Sequence, residues 1–210
     1  SQSSHPALLI VDMVSEYKFP DADRIHKGAH KAAKAIARLK QRAHAAKVPV
    51  VYVNDTAGKW ESDQRAFVQR CLKPEARGRE VVEPIAPSEH DYFMFKPKHS
   101  AFFGTPLHTL LQQLKVSTLI LTGVTSHQCV LFTAMDAHVR DYGLIIPSVC
   151  IGAANATDTK HVLYVFSHAL NAKIRDALAG RSELAGQAYQ LGLAGGGRAQ
   201  GGPPGGQRRA

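Results

Sequence analysis

Between Thr118 and Ala137 the hydrophobic pattern of the chain changes period, and few folds accommodate that change. Thr118-Leu-Ile-Leu-Thr-Gly123 is a short apolar run closed by glycine, which suits a buried parallel strand. After a turn through Thr125-Ser126-His127, the residues Val130, Leu131, Ala134 and Ala137 recur on one helical face. Cys129 therefore stands at the first turn of a helix fed directly by a strand. Unpaired backbone N–H groups and the helix dipole favour negative charge there. Such a position is expected to lower a thiol pKa and to hold an oxyanion. The alternative is a buried cysteine that fills the core.

The rest of the chain repeats the same alternation. Ala7-Leu-Leu-Ile-Val11 is a continuous apolar run ending on Asp12, as a central strand would be. Lys27 to Ala46 carries Ala29, Ala32, Ala33, Ile36, Leu39, Ala43 and Ala46 at helical spacing, with basic residues between them. Val48 to Val53 follows almost at once, giving a strand–helix–strand unit with a right-handed parallel crossover. A loop from Asn54 to Asp63, a weakly helical stretch to Cys71 and a proline-punctuated connection come next. Further strands are predicted at Asp91–Phe95 and Gly143–Pro147, with a short edge strand at Ala172–Arg175. Further helices are predicted at Thr105–Leu114 and Thr157–Leu170, the first with Thr105 as N-cap and Pro106 behind it. The prediction is a doubly wound, mostly parallel sheet of about five to six strands with helices on both faces. One domain over 1–179 accounts for this pattern. Residues 180–210 form a Gly/Ala/Arg-rich tail, expected to be disordered from about 192 because it has almost nothing apolar to bury.

Composition excludes several functions. The net charge of +9 invites a nucleic-acid reading, but the tail holds four arginines against Glu183 and the remainder 22 basic against 16 acidic residues. Much of the rest lies on the outer face of one helix, and no nucleic-acid recognition signature is present, so no specific nucleic-acid partner is expected. No apolar run is long enough to cross a membrane, and the N-terminus lacks the layout of a signal peptide. Cys71, Cys129 and Cys150 make neither a disulfide framework nor a CxxC pair, as expected of a reduced cytoplasmic protein.

Ligands of doubly wound folds sit at the carboxyl ends of the strands, where Asp12, the Asn54–Trp60 loop, Lys96 and Cys129 all fall. A thiol with a pKa near ~8.5 needs a base and a stabilising charge to act as a nucleophile at neutral pH. Asp12 could be the base, and Lys96 could keep Asp12 ionised while favouring the thiolate. Taken singly, an Asp ending a strand is an ordinary turn residue and Lys96 an ordinary surface lysine.

Three motifs carry a resemblance to the isochorismatase-like cysteine hydrolases. They are Asp12-Met13 after an apolar strand, Lys96-Pro-Lys-His-Ser-Ala-Phe-Phe-Gly-Thr105, and Gly123-Val-Thr-Ser-His-Gln-Cys129 running on to Ala137. The resemblance spans roughly Ala7 to Ala172 and implies an Asp–Lys–Cys triad for acyl transfer, here Asp12, Lys96 and Cys129. Lys98 competes with Lys96, which is preferred because the family's lysine lies four residues before the Ser of the Ser-Ala-Phe motif, here Ser100. It also implies an oxyanion hole from the backbone N–H groups of Thr125 and Cys129, a cis peptide between Val124 and Thr125, and a homodimer or homotetramer.

The expected function is cleavage of a small amide or related C–N bond, with no cofactor. Vinyl-ether hydrolysis of the isochorismatase type and a degenerate binding protein are the alternatives. The Asp-x-His metal motif of nicotinamidase-type members is missing from Asn54-Asp55-Thr56-Ala57, so no metal is expected. Tyr17, Phe19, Trp60 and Phe103 are candidate pocket walls, each of which could equally be ordinary packing. His127 either touches the substrate or fills the helix start, and Cys71 and Cys150 are expected to be buried spectators.

Overall fold

Strand β1 (Pro6–Val11) is apolar and buried at all six positions, as a strand covered on both faces must be. It pairs in parallel with β2 (Val50–Asp55) on one side and β4 (Thr118–Val124) on the other, with Leu9 opposite Val51 and Leu121. The sheet continues through β3 (Tyr92–Lys96) at one edge, and through β5 (Gly143–Pro147) to β7 (Lys173–Arg175) at the other. The order β3-β2-β1-β4-β5-β7 runs outward in both directions from β1 and β4, so their carboxyl ends flank the topological switch point. The computed structural model describes residues 5–56, 60 and 62–175. The expected disordered tail and part of the 54–63 loop lie outside them.

Alternate residues of each strand feed two cores. Leu8, Ile10, Val50 and Tyr52 face α1 (Ala22–Ala45), α2 (Gln64–Leu72) and α3 (Arg79–Val82). Ala7, Leu9, Val11 and Val53 face α4 (Leu107–Gln113), α5 (Leu131–His138) and α6 (Ala156–His168). Helix α1 lies close to the sheet because its inner face is mostly alanine. At its closest approach, a Cβ on Gly28 would stand 2.4 Å from the carbonyl oxygen of Ala153.

The sheet has one strand more than expected. β6 (Ile151–Gly152) pairs with the end of β4, where β5 has already turned away, and two residues are too few to show a hydrophobic run. α1 begins at Ala22 rather than Lys27, behind Asp21, whose φ of 62° and lack of a side-chain cap leave no start signal. α4 begins at Leu107, with Pro106 at the cap position, while the Thr105 hydroxyl accepts the Leu107 N–H at 3.2 Å. Just ahead of β3, away from the strand ends just described, Asp91 is bound by Lys40 at 2.9 Å and His44 at 2.6 Å, and Lys40 donates to the Ala86 carbonyl at 2.6 Å. Among the described residues, no helix is long and apolar enough to cross a membrane.

Candidate active site

Three strand ends and one turn build the site. Asp12 follows β1 in the left-handed region, at φ 53°, which swings its carboxylate out of the sheet while its N–H still donates to the Val53 carbonyl at 3.1 Å. Lys96 is the last residue of β3. Gly123, near the end of β4, has φ 117°, and a Cβ there would fall 2.0 Å from the Val11 carbonyl oxygen. Only glycine lets β4 run this close to β1 and then turn. The Val124–Thr125 peptide is cis, as the resemblance implied. Beyond it, Ser126–Val130 forms one wide turn, in which the Val130 N–H reaches back to the Thr125 carbonyl at 3.2 Å, before α5 continues. Cys129 sits in that turn, 9% exposed.

Asp12, Lys96 and Cys129 converge. The Lys96 ammonium is fully buried, 2.8 Å from Asp12 Oδ2 and 3.5 Å from Cys129 Sγ. Its remaining proton reaches the Lys98 carbonyl at 3.0 Å, and Asp55 Oδ2 stands 3.8 Å away. The other Asp12 oxygen accepts the Asp55 N–H at 2.6 Å. Lys98 meets this cluster through its backbone, so Lys96 supplies the charge.

Burial pushes the Asp12 pKa up, against the pull of the Lys96 ammonium and of hydrogen bonds from Cys129, Lys96 and Asp55. Burial also works against the Lys96 charge, but Asp12 and Cys129 outweigh it and hold the pKa above the ordinary lysine value. The Cys129 thiol is pushed up to about 12, by burial first and then by the Asp12 charge, with Lys96 opposing. This corrects the expectation of an acidified thiol. The helix start is present, but desolvation and an adjacent carboxylate outweigh it. Asp12 and Cys129 therefore titrate as a pair, Asp12 losing its proton first.

The two histidines exchange the places their sequence positions suggest. His127, two residues before Cys129, turns to α6, its Nδ1 3.9 Å from Asp158 Oδ2. His99, which the sequence reading passed over, brings Nδ1 to 3.9 Å from Cys129 Sγ and its ring against Phe132. Its signal was available: it lies three residues after Lys96, within the motif that carries the lysine.

Among the aromatic candidates, Tyr17 is fully buried in the α1-side core, edge-on to His26, and burial first, then the Asp12 charge, push its hydroxyl pKa up. Phe19 packs beside Tyr17 and is 40% exposed. Trp60 and Phe103 are 91% and 59% exposed, with no ring partner among the described residues. Cys71 and Cys150 are buried thiols. Among the described residues, no three His, Cys, Asp or Glu side chains gather where they could hold a metal ion. At the end of β2, where a metal motif would begin, the Asn54 amide donates to the Val14 carbonyl at 2.5 Å.

Comparison with known proteins places this geometry in a family. A family model described as Isochorismatase domain matches residues 6–177. The chain is 40% identical over 168 residues to the uncharacterized isochorismatase family protein YaaI of Bacillus subtilis, covering 80% of this chain and 92% of the relative. It is 28% identical over 158 residues to the N-carbamoylsarcosine amidase of an Arthrobacter species, covering 71% of this chain and 60% of that one. The crystal structure of N-carbamoylsarcosine amidase from Thermoplasma acidophilum superposes with a TM-score of 0.63 at 28% identity, over 84% of this chain and 99% of that one.

Proposed function

The chain belongs to the isochorismatase family and is a hydrolase, and on that premise we propose that it cleaves a small amide through a thioester on Cys129. The observation that carries this reading is one buried ammonium within reach of both a carboxylate and a thiol, Lys96 at 2.8 Å from Asp12 and 3.5 Å from Cys129. Moving the thiol proton to Asp12 transfers negative charge from the carboxylate to the attacking sulfur without changing the net charge of the site. Before transfer the pair is carboxylate and thiol; afterwards it is carboxylic acid and thiolate. Lys96 compensates either form, so the transfer buries no new charge.

The thiolate attacks the carbonyl carbon, and the carbonyl π electrons become an oxyanion facing the backbone N–H groups of Thr125 and Cys129. The C–N bond breaks as Asp12 hands that proton to the nitrogen, leaving a thioester. Asp12 takes a proton from water as it adds to the thioester, the thiolate leaves, and Asp12 returns the proton to the sulfur. Relatives that are N-carbamoylsarcosine amidases support a small carbonyl–nitrogen substrate of this kind.

The test is ammonia release from a panel of small primary amides and ureido compounds, with wild type and Cys129→Ala. Turnover present in the first and absent in a folded second variant is expected. Ammonia release that survives Cys129→Ala would refute the nucleophilic thiol.

A further inference from the structure

The outer face of α1 carries a charge pattern that neither the fold nor the thiol site uses. Arg24, Lys27, Lys31, Lys34, Arg38 and Arg42 are all exposed and recur at three- and four-residue spacing. At 3.6 residues per turn they fall within an arc of about 80° and extend over about 27 Å, opposite the alanines that pack on the sheet. The helix's one acidic residue, Asp23, is held by Arg77. Glu80 of α3, at the border of the stripe, stands 3.2 Å from His30 Nδ1 and 3.7 Å from His26 Nε2. Elsewhere Arg79 and Arg140 meet carboxylates at 3.2 and 2.9 Å, whereas none of the six is in an ion pair among the described residues. Lys27 and Lys31, Lys34 and Arg38, and Arg38 and Arg42 are instead like charges four residues apart, and each pair repels. Lys27, Lys31 and Lys34 also line an open cleft of about 430 Å³ against Glu80, so the stripe is concave along part of its length.

We propose that this stripe docks on the phosphate backbone of duplex DNA, without regard to sequence. A row of cations with no neighbouring carboxylate to satisfy them matches a polymer whose charges are equally regular, and releasing the counterions of that polymer drives the contact. The stripe offers almost nothing that reads a base edge, since five of its six charges are flanked only by alanine, histidine, glycine and buried aliphatic residues, and Gln41 is its one neutral polar neighbour.

The other partners fit less well. A second copy would set the same six cations against themselves in a two-fold contact. An amphipathic helix lying in a membrane inserts its apolar face, but that face of α1 is buried against the sheet. No large apolar or aromatic side chain of α1 is exposed, so the helix has neither an anchor for a protein hot spot nor a platform on which single-stranded bases could stack.

The test follows the anisotropy of two fluorescein-labelled duplexes of unrelated sequence, each about 16 base pairs long, or about twice what the stripe spans. The full chain is titrated into each between about 50 and 200 mM KCl. With about five phosphates neutralised, affinity is expected to fall about 10²–10³-fold over that range, equally for both sequences. Lys31→Gln alone is expected to lower the slope of log affinity against log salt by about 1. Lys27→Gln, Lys31→Gln, Lys34→Gln and Arg38→Gln together are expected to abolish binding while the urea midpoint stays at or above that of wild type, because like-charge repulsion is relieved. Duplex binding that persists in the fourfold variant would put the contact elsewhere, on the arginines of residues 180–210, and overturn the proposal. So would no duplex binding at the lowest salt, binding to phosphatidylserine vesicles in its place, or a preference for one of the two sequences.

Discussion

Asp12→Asn separates the two things a carboxylate can do beside a thiol, because it should make Cys129 more reactive as a bare nucleophile and the protein less active as a hydrolase. In the wild type, Lys96 stands 3.5 Å from Sγ, and Asp12 cancels its pull. A unit charge at that distance is worth about 5 kcal/mol at an effective dielectric constant near 20, or between three and four pH units. Asp12 is hydrogen-bonded to the same sulfur, so removing its charge takes away a repulsion of about that size, and the thiol, now at about 12, should fall to roughly 8–9. The thiolate fraction at pH 7.5 then rises about 10³-fold, and a weaker intrinsic nucleophile returns part of it, leaving a net gain of about 10². Iodoacetamide labelling of Cys129, followed by mass spectrometry, reads this directly, since Cys71 and Cys150 are buried. Amide turnover should fall about 10²–10⁴-fold, because the acceptor for the thiol proton is gone. A variant labelled no faster than wild type would refute the account of the thiol pKa, and one that kept its turnover would refute the role of the base.

Three further outcomes are expected. Asp91→Asn breaks a buried ion pair and should cost about 3–5 kcal/mol in urea unfolding; in the wild type, hydrogen bonds from Ser88, Lys40 and His44 outweigh burial and hold the Asp91 pKa low, so its contribution is present above the ordinary carboxylate range and lost as pH falls through the lowered value. On the alkaline side, burial pushes the Cys71 thiol up to about 12, like Cys129, so both hold protons that the unfolded chain gives up from about 8.5. Stability should be full below that value and fall by up to about 1.4 kcal/mol per pH unit for each thiol as pH rises to the folded value, a slope that Cys71→Ala should reduce by one proton. Gly123→Ala places a methyl group 2.0 Å from the Val11 carbonyl oxygen and should disrupt the β1–β4 pairing, seen as lost cooperative unfolding together with lost labelling selectivity at Cys129.

How much of this was legible depends on whether the cause lay in the local pattern. β1 and β4 could be read because a strand buried on both faces must be apolar throughout, and α1 because its alanines recur with the helical period. Asp12 and Lys96 were visible as residues at strand ends, and the order of strands then brought them to Cys129. β6 was not legible, since two residues have no period. The thiol pKa was misjudged because the turn before α5 is a local feature, whereas the opposing Asp12 charge and the desolvation arrive from elsewhere in the chain. His127 drew notice by standing two residues from Cys129, yet Asp158 and α6 claim that side of the turn. His99 reaches the sulfur from 30 residues away, through the end of β3, by a contact that no periodicity encodes.

The storage of Cys129 as a thiol also bears on how long the protein survives in the presence of peroxide. Oxidation to sulfenic acid proceeds through the thiolate. With a thiol that keeps its proton up to about 12, only about one resting molecule in 10⁵ is open to attack at pH 7. Susceptibility then follows the proton's move to Asp12, which the proposed thioester chemistry couples to a bound carbonyl compound already covering the sulfur. Cys129 can thus be a nucleophile for its substrate and still resist the oxidants that disable cysteines kept ionised at rest.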